Sequence, residues 1–284
     1  MAIFSDLPQE IVDQVIDCVC SRRDLLSCSL VCHAWLPRSS KSLFSHVTLR
    51  RENNVEAFLS VVKTSQRISE NVSWLDVQAL LSDPSTFNTI LSSFPNFSSL
   101  GFHRVMHLTD TKSISPPESP YHTLSRLQFY YAHGADVLWC LGHFRRIDGL
   151  KLTSVHTIPP EPEDSSTMTR HLQLTTLSIR IGNFPMLSHV GRILLPGSFK
   201  KLYIPFPERF TPTPIPNLEA LDYLQAFLQT VSSSLEHLYL PFCGSKTEST
   251  SSEYPSPCFD VLLITHHQSQ HYVNALNYHP STST

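Results

Sequence analysis

Residues 7–47 read LPQEIVDQVIDCVCSRRDLLSCSLVCHAWLPRSSKSLFSHV and predict a compact unit of three short helices. The pair Leu7-Pro8 followed by Glu10 is typical of a helix start. Proline loses nothing there because that amide has no helical partner, and an acid suits the positive end of the helix. Asp24 is an N-cap residue type and predicts the start of a second helix.

The same stretch holds more apolar side chains than a unit this small can bury. A third helix is expected to begin at or after Pro37, since proline is tolerated only near a helix start. Small domains have a high ratio of surface to volume, so the surplus apolar residues predict a binding partner. The apolar residues of the three segments are Ile11, Val15, Ile16 and Val19, then Leu25, Leu26, Leu30 and Val31, then Trp35, Leu36, Leu43 and Phe44.

The order and spacing of these residues resemble the F-box. This is the short helical motif through which F-box proteins dock on the Skp-family adaptor of cullin-RING ubiquitin ligases. His33 stands where the family usually has a basic residue, after the Val31-Cys32 pair. The resemblance implies an adaptor-binding set that consists of Leu7, Pro8, Glu10, Ile11, Ile16, Leu25, Val31, Cys32, Trp35, Leu43 and Phe44.

Composition bounds the class of protein. The chain has 284 residues, of which 41% are hydrophobic and 16% charged, which is typical of a globular protein. A net charge of -3 and the lack of a Lys/Arg block disfavour nucleic acid and anionic membranes as partners. No signal peptide and no long apolar run are visible, so we expect a cytoplasmic or nuclear protein without a membrane span. Seven cysteines without a secretory signal are expected to be reduced.

Beyond residue 50, helix-like and strand-like stretches alternate. Seven strand-like pieces share the pattern apolar-x-x-apolar-x-apolar, with leucine at the middle apolar position in every one. Five of their six separations lie between 23 and 27 residues, within the range of leucine-rich repeats. A unit of this size buries its apolar faces only by stacking on its neighbours. The pieces begin at Val72, Phe97, Leu124, Ile147, Leu174, Phe199 and Leu235, and their middle leucines, predicted to form one ladder, are Leu75, Leu100, Leu127, Leu150, Leu177, Leu202 and Leu238.

The pattern resembles a degenerate leucine-rich repeat, and with the first stretch it resembles the F-box/leucine-rich-repeat class. The fold class implied is multidomain: an all-α three-helix F-box domain over residues 1–50, then an α/β leucine-rich-repeat-like solenoid over 51–243 that binds a target. An irregular α/β domain is the alternative. Residues 244–284 are predicted to be a polar, disordered tail, within which 258–264 fit an eighth strand. Three Pro-rich loops, at 110–121, 156–169 and 205–217, separate repeats.

No catalytic, cofactor or metal motif is found. Cys18, Cys20, Cys28 and Cys32 lack paired Cys-x-x-Cys spacing and are expected to be apolar core residues instead. His266, His267 and His271 lack the glutamate of an HExxH motif, and Gly244 is not part of a phosphate-binding loop. We expect the chain to have no enzymatic activity, no cofactor and no metal. A hydrolase that uses dispersed Ser, His and Asp residues is a distant alternative, because no G-x-S-x-G elbow occurs.

The function implied is that of a substrate-recognition subunit of a Skp-cullin-F-box type ubiquitin ligase. The F-box would bind the Skp-family adaptor, and through it the cullin-RING assembly, while the repeats would bind an unidentified target protein. The alternative is a scaffold that binds the adaptor without a cullin. Trp74, Tyr203 and Tyr239 alternate with the ladder leucines, so they fit either binding anchors or ordinary strand residues.

Overall fold

The structure is a computed structural model that describes residues 7–105, 108, 122–156, 171–205 and 218–240. The chain divides into two compact units, residues 1–110 and 111–284. Over the described residues, none of the helices is both long enough and apolar enough to cross a membrane. The predicted Pro-rich loops fall almost wholly outside the described residues, as do the tail with its eighth strand, His266, His267, His271 and Gly244. The boundaries at residues 50 and 243 stay predictions.

The first unit begins with the three predicted helices: α1 (Gln9–Asp17), α2 (Arg22–Ser29) and α3 (Leu36–Ser45). Glu10 lies in the first turn of α1, as predicted. The predicted N-cap at Asp24 is wrong. Ser21 caps α2, and its hydroxyl accepts a hydrogen bond from the Asp24 amide at 3.4 Å. Asp24 instead lies in the first turn, where its charge favours the positive helix end.

The rest of the first unit is an α/β arrangement around a parallel sheet. Strand β1 pairs with β2, and β2 with β3. Helix α6 packs on the sheet through Phe87, whose ring centroid lies 5.5 Å from that of Phe102. The elements are β1 (His46–Leu49), α4 (Glu52–Thr64), α5 (Gln66–Asn71), β2 (Trp74–Leu81), α6 (Pro84–Ser93) and β3 (Ser99–Val105).

The second unit repeats the same scheme. Five strands lie in the order β4-β6-β8-β9-β10, all parallel, and β5 pairs with β7. Phe227 of α9 meets Phe199 edge-on, with ring centroids 5.3 Å apart. The elements are β4 (His122–Phe129), β5 (Ala132–His133), α7 (Gly134–Leu141), β6 (Phe144–Leu152), β7 (Val155–His156), β8 (Gln173–Ile179), α8 (Met186–Ile193), β9 (Lys201–Tyr203), α9 (Leu218–Val231) and β10 (His237–Tyr239).

The predicted strands and the leucine pairing are confirmed within each unit. All seven predicted strand pieces contain a strand. Leu75 pairs in register with Leu100, and Leu127, Leu150, Leu177, Leu202 and Leu238 pair in sequence from strand to strand. Each of these leucines is buried, because it points into the layer between sheet and helices. An α/β region with a parallel sheet therefore follows the helical stretch, while the leucine-rich solenoid stays a proposal.

Several elements were not predicted. Strand β1 lies at the end of the stretch that is predicted to be helical. Its Val47 is buried and pairs with Leu75, so β1 adds one strand to the row of buried residues. The short strands β5 and β7 were missed because two residues carry no alternation that a sequence pattern can detect.

Candidate functional site

The three-helix region has a small apolar core. Val12 and Ile16 of α1 are buried together with one leucine from each of the other two helices, Leu25 and Leu43. Spacing of four residues puts Val12 and Ile16 on the same face of α1. Three more apolar side chains pack partly against this core: Val19, Trp35 and Phe44.

Polar contacts fix the helices relative to one another. The Arg38 guanidinium on α3 donates two hydrogen bonds to the Asp17 carboxylate at the end of α1, and the Nε–Oδ1 distance is 2.6 Å. The hydrogen bond from Arg38 lowers the pKa of Asp17 from its usual value, so this carboxylate stays charged at neutral pH. Gln9 donates to the Ala34 carbonyl at 3.1 Å and so ties α1 to the segment before α3. The region therefore presents a defined surface.

One part of that surface is an apolar stripe along α1. Ile11 and Val15, four residues apart, follow one side of the helix beside the buried pair Val12 and Ile16. Leu7 lies just before the helix and adds an exposed apolar side chain at that end. The exposed fractions of Leu7 and Ile11 are 42% and 43%. We call Leu7, Ile11 and Val15 the α1 stripe. Helix α1 thus has one apolar side that meets the core and another that meets solvent.

A second apolar surface lies at the end of α2. Leu26 and Val31 are more than half exposed, and Leu30, the C-cap residue of α2, is 86% exposed. Leu25, next to Leu26, is buried, because the two side chains leave the helix in different directions. We call Leu26, Leu30 and Val31 the α2 ridge. Apolar side chains clustered and exposed in this way are typical of a protein-binding surface.

The predicted adaptor-binding residues separate into three environments. Ile16, Leu25 and Leu43 are buried in the core. In this conformation they hold the helices together and are not themselves part of the exposed surface. Trp35 and Phe44 are half-buried against that core. The remaining six are exposed: Leu7, Pro8, Glu10, Ile11, Val31 and Cys32.

Val15, Leu26 and Leu30 belong to the exposed surface but were not predicted as part of it. They are among the apolar residues whose surplus predicts a partner, but the family resemblance does not include them in the adaptor-binding set. A usable signal was present in α1, where apolar residues at 11, 12, 15 and 16 cover more of the helix than one core contact requires.

The prediction that the N-terminal cysteines are core residues is wrong for most of them. Cys18, Cys20 and Cys32 are exposed, and Cys28 is half-buried, whereas Cys140 of α7 is fully buried. Cys18 and Cys20 follow the last turn of α1, beyond its buried face. In the part of the chain that the structure describes, there is no group of three or more His, Cys, Asp or Glu side chains placed to bind a metal ion.

Aromatic side chains form pairs on the face of each sheet that is opposite to the face of the ladder leucines. Trp74 stacks on His46 across β1 and β2, with ring centroids 4.8 Å apart. Tyr203 and Tyr239 stack across β9 and β10, with ring centroids 4.1 Å apart and an angle of 6° between the rings. Burial, and after it the hydrogen bond with Tyr239, raise the pKa of Tyr203 above its usual value, so this phenol is neutral at physiological pH.

Comparison with known proteins agrees with the helical surface. The F-box-like family model matches residues 4–50, which include α1, α2, α3 and β1. The chain therefore carries an F-box-like domain, and domains of this kind commonly bind Skp-family adaptors. Among curated proteins, the chain has no match.

Proposed function

We propose that this chain is the substrate-recognition subunit of a Skp-cullin-F-box type ubiquitin ligase. The observation that carries the proposal is the exposed apolar surface of the F-box-like domain, made of the α1 stripe and the α2 ridge. The Skp-family adaptor would cover this surface, and the α/β region that follows it would bind the target protein.

Burial of the stripe and ridge by the adaptor would offset much of the free-energy cost of association. Full burial of one Val, Leu or Ile side chain stabilises a complex by about 1.5–3 kcal/mol. The six side chains of the stripe and ridge together supply a term of the same order as the roughly 4–15 kcal/mol that association costs in lost freedom. Leu30 has the most apolar surface to gain, since it is the most exposed of the six.

Under this proposal the ubiquitin chemistry belongs to the partner subunits. This chain would hold a target lysine near a charged ubiquitin-conjugating enzyme, which raises the local concentration of the reacting groups. The chain itself would then have no enzymatic activity and need no cofactor, and it would act in the cytoplasm or nucleus, where these ligases assemble.

The test is co-purification of the tagged full-length chain with a Skp-family adaptor and a cullin, using Leu30→Asp. A charge at this position opposes burial, so we expect the adaptor and the cullin both to be lost. Val61→Asp is the matched control, because Val61 is an exposed apolar residue on α4, outside the F-box-like domain. Point variants are preferable to removal of residues 1–50, since that deletion also removes β1 from its pairing with β2.

Each outcome has a definite meaning. Adaptor and cullin bound to the wild type and to Val61→Asp, but lost with Leu30→Asp, support the ligase receptor. Adaptor without cullin on the wild type identifies the scaffold alternative. Adaptor retained by Leu30→Asp shows that the α2 ridge is not the docking surface, and a wild type that binds no adaptor contradicts the proposal.

A further inference from the structure

The strands of the second unit are unusually basic. They carry five Lys or Arg residues and a single carboxylate, Asp148, whereas the whole chain has 21 Lys and Arg against 24 Asp and Glu. The basic residues come from three different strands: β4, β6 and β9. The strands of the second unit are therefore locally positive, although the whole chain has a net charge of -3.

Strand register places several of these charges on one face of the sheet. The ladder leucines Leu127, Leu150, Leu177, Leu202 and Leu238 point inward, so the residues directly before and after them point outward. We call this side the outer face, and its two rows are Arg126, Gly149, Thr176, Lys201 and His237, then Gln128, Lys151, Ser178, Tyr203 and Tyr239.

Among the described residues, the two carboxylates beside the outer face are already paired with cations. Asp148 accepts a hydrogen bond from Arg146 at 2.9 Å, and Glu236 lies 2.8 Å from the ammonium of Lys200. The hydrogen bond from Lys200 lowers the pKa of Glu236. Lys151 and Lys201 lie outside these two pairs, and both are half-buried along the sheet. Lys201 also acts on Glu236 at longer range, where its charge adds to the lowering of that pKa, but neither lysine is the hydrogen-bond donor in these two pairs, so both ammonium groups can contact a ligand.

Aromatic rings lie beside both lysines. The Lys151 ammonium lies 5.6 Å from the centroid of the Tyr130 ring, a cation–π contact that orders the side chain. Lys201 lies two residues before Tyr203, which stacks on Tyr239. Rigid aromatic rings offer contact area at low entropic cost, and the lysines beside them supply charge.

We infer that the outer face of the second unit binds an acidic, extended peptide segment of a target protein. The inference rests on the proposed function, for which it names the class of target. The charges on this face favour carboxylates, and the parallel rows of polar and aromatic side chains suit a chain lying across the strands. Electrostatic attraction of this kind selects partners and weakens as salt is added.

The test measures fluorescence anisotropy of a short fluorescein-labelled peptide in which glutamate alternates with glycine, added to the full-length chain. A peptide with glutamine in place of glutamate is the neutral probe. Salt screens charges over about 10 Å at 0.1 M and about 3 Å at 1 M, so both concentrations are used. We expect binding of the glutamate peptide alone, and weaker binding at the higher salt concentration.

Charge reversal on the face identifies the site. The double variant Lys151→Glu, Lys201→Glu is expected to weaken peptide binding by about 10-fold or more, because both cations become repulsive. Lys63→Glu, Arg67→Glu is the matched control: it makes the same change in net charge on exposed residues of α4 and α5. Lys151→Gln, Lys201→Gln, which removes charge without repulsion, is expected to give an intermediate loss, and circular dichroism verifies that all variants fold.

The results separate this inference from the proposed function. Loss of peptide binding in the Lys151 and Lys201 variants, with adaptor binding retained, supports both. Equal binding of the glutamine peptide, or equal loss in the α4 and α5 control, overturns the inference while adaptor co-purification still supports the F-box role. Peptide binding without any adaptor binding supports the acidic-peptide site and contradicts the ligase receptor.

Discussion

At the scale of single residues, Ile11 and Ile16 have the same side chain on the same helix but different surroundings. Ile16 is fully buried in the core of the F-box-like domain, whereas Ile11 is 43% exposed on the α1 stripe. Ile16→Ala is expected to lower the free energy of unfolding by about 2–5 kcal/mol, through lost burial and the cavity left behind. Ile11→Ala should change it by less than about 0.5 kcal/mol, because exposed substitutions have small effects.

For adaptor binding we expect the opposite order of effects, with the larger direct effect from the exposed residue. Ile11→Ala removes apolar surface that the adaptor would cover, so it should weaken the complex while the domain stays folded. The measurement is denaturant unfolding of both variants, alongside adaptor affinity at a temperature where both are folded. A strongly destabilised Ile11→Ala, or an Ile16→Ala as stable as the wild type, would contradict the assignment of these two faces.

At the scale of elements, helix α6 shows how a short segment is held in place. Asp83 caps this helix and accepts hydrogen bonds from the amides of Ser85 at 3.1 Å and Thr86 at 3.0 Å. Its carboxylate also accepts from both hydroxyls, and these bonds, that of Ser85 first, lower the pKa of Asp83. The cap anchors the helix whose Phe87 packs on β3.

Asp83→Ala is expected to lower the free energy of unfolding by roughly 0.5–2 kcal/mol, as for other N-cap losses. The folded-state pKa of Asp83 lies below the unfolded value, so the charged cap stabilises the fold above about pH 4 and loses that effect as pH falls further. The difference between wild type and Asp83→Ala should therefore shrink in acid. Asp83→Asn, which keeps an accepting oxygen, serves as the control and should retain most of the stability at every pH.

At the scale of the whole molecule, the chain has two compact units, and the F-box-like domain belongs to the first. Phe227 is buried in the second unit against Phe199, so Phe227→Ala is expected to destabilise that unit by about 3–5 kcal/mol. Trp139 is the one tryptophan of the second unit, and its fluorescence change reports unfolding there if Trp35 and Trp74 are replaced. Leu221→Ala, at an exposed position of the same helix, is the control.

Adaptor binding should survive Phe227→Ala, because the stripe and ridge belong to the other unit. Co-purification with the Skp-family adaptor is measured on Phe227→Ala and Leu221→Ala variants that keep Trp35, because Trp35 is one of the predicted adaptor-binding residues and packs against the F-box core. Loss of the adaptor from a folded Phe227→Ala variant would contradict the assignment of adaptor binding to the first unit alone.

Much of the architecture is determined by local sequence. The pattern around Leu127, Leu150 and Leu177 recurs at nearly constant spacing, and alternation along a strand is enough to predict strands whose leucines point inward. The F-box-like stretch is recognisable for the same reason, because its order of proline, leucine and tryptophan residues is local in the chain.

Only the tertiary structure decided which of these residues face a partner. Ile11 and Ile16 have the same chemistry, and their exposure depends on how α1 lies against Leu25 and Leu43, which periodicity does not specify. Lys151 and Lys201 lie far apart in sequence and share one face only because parallel register aligns their strands. Local spacing determines the elements of this protein, while long-range packing and register determine its surfaces.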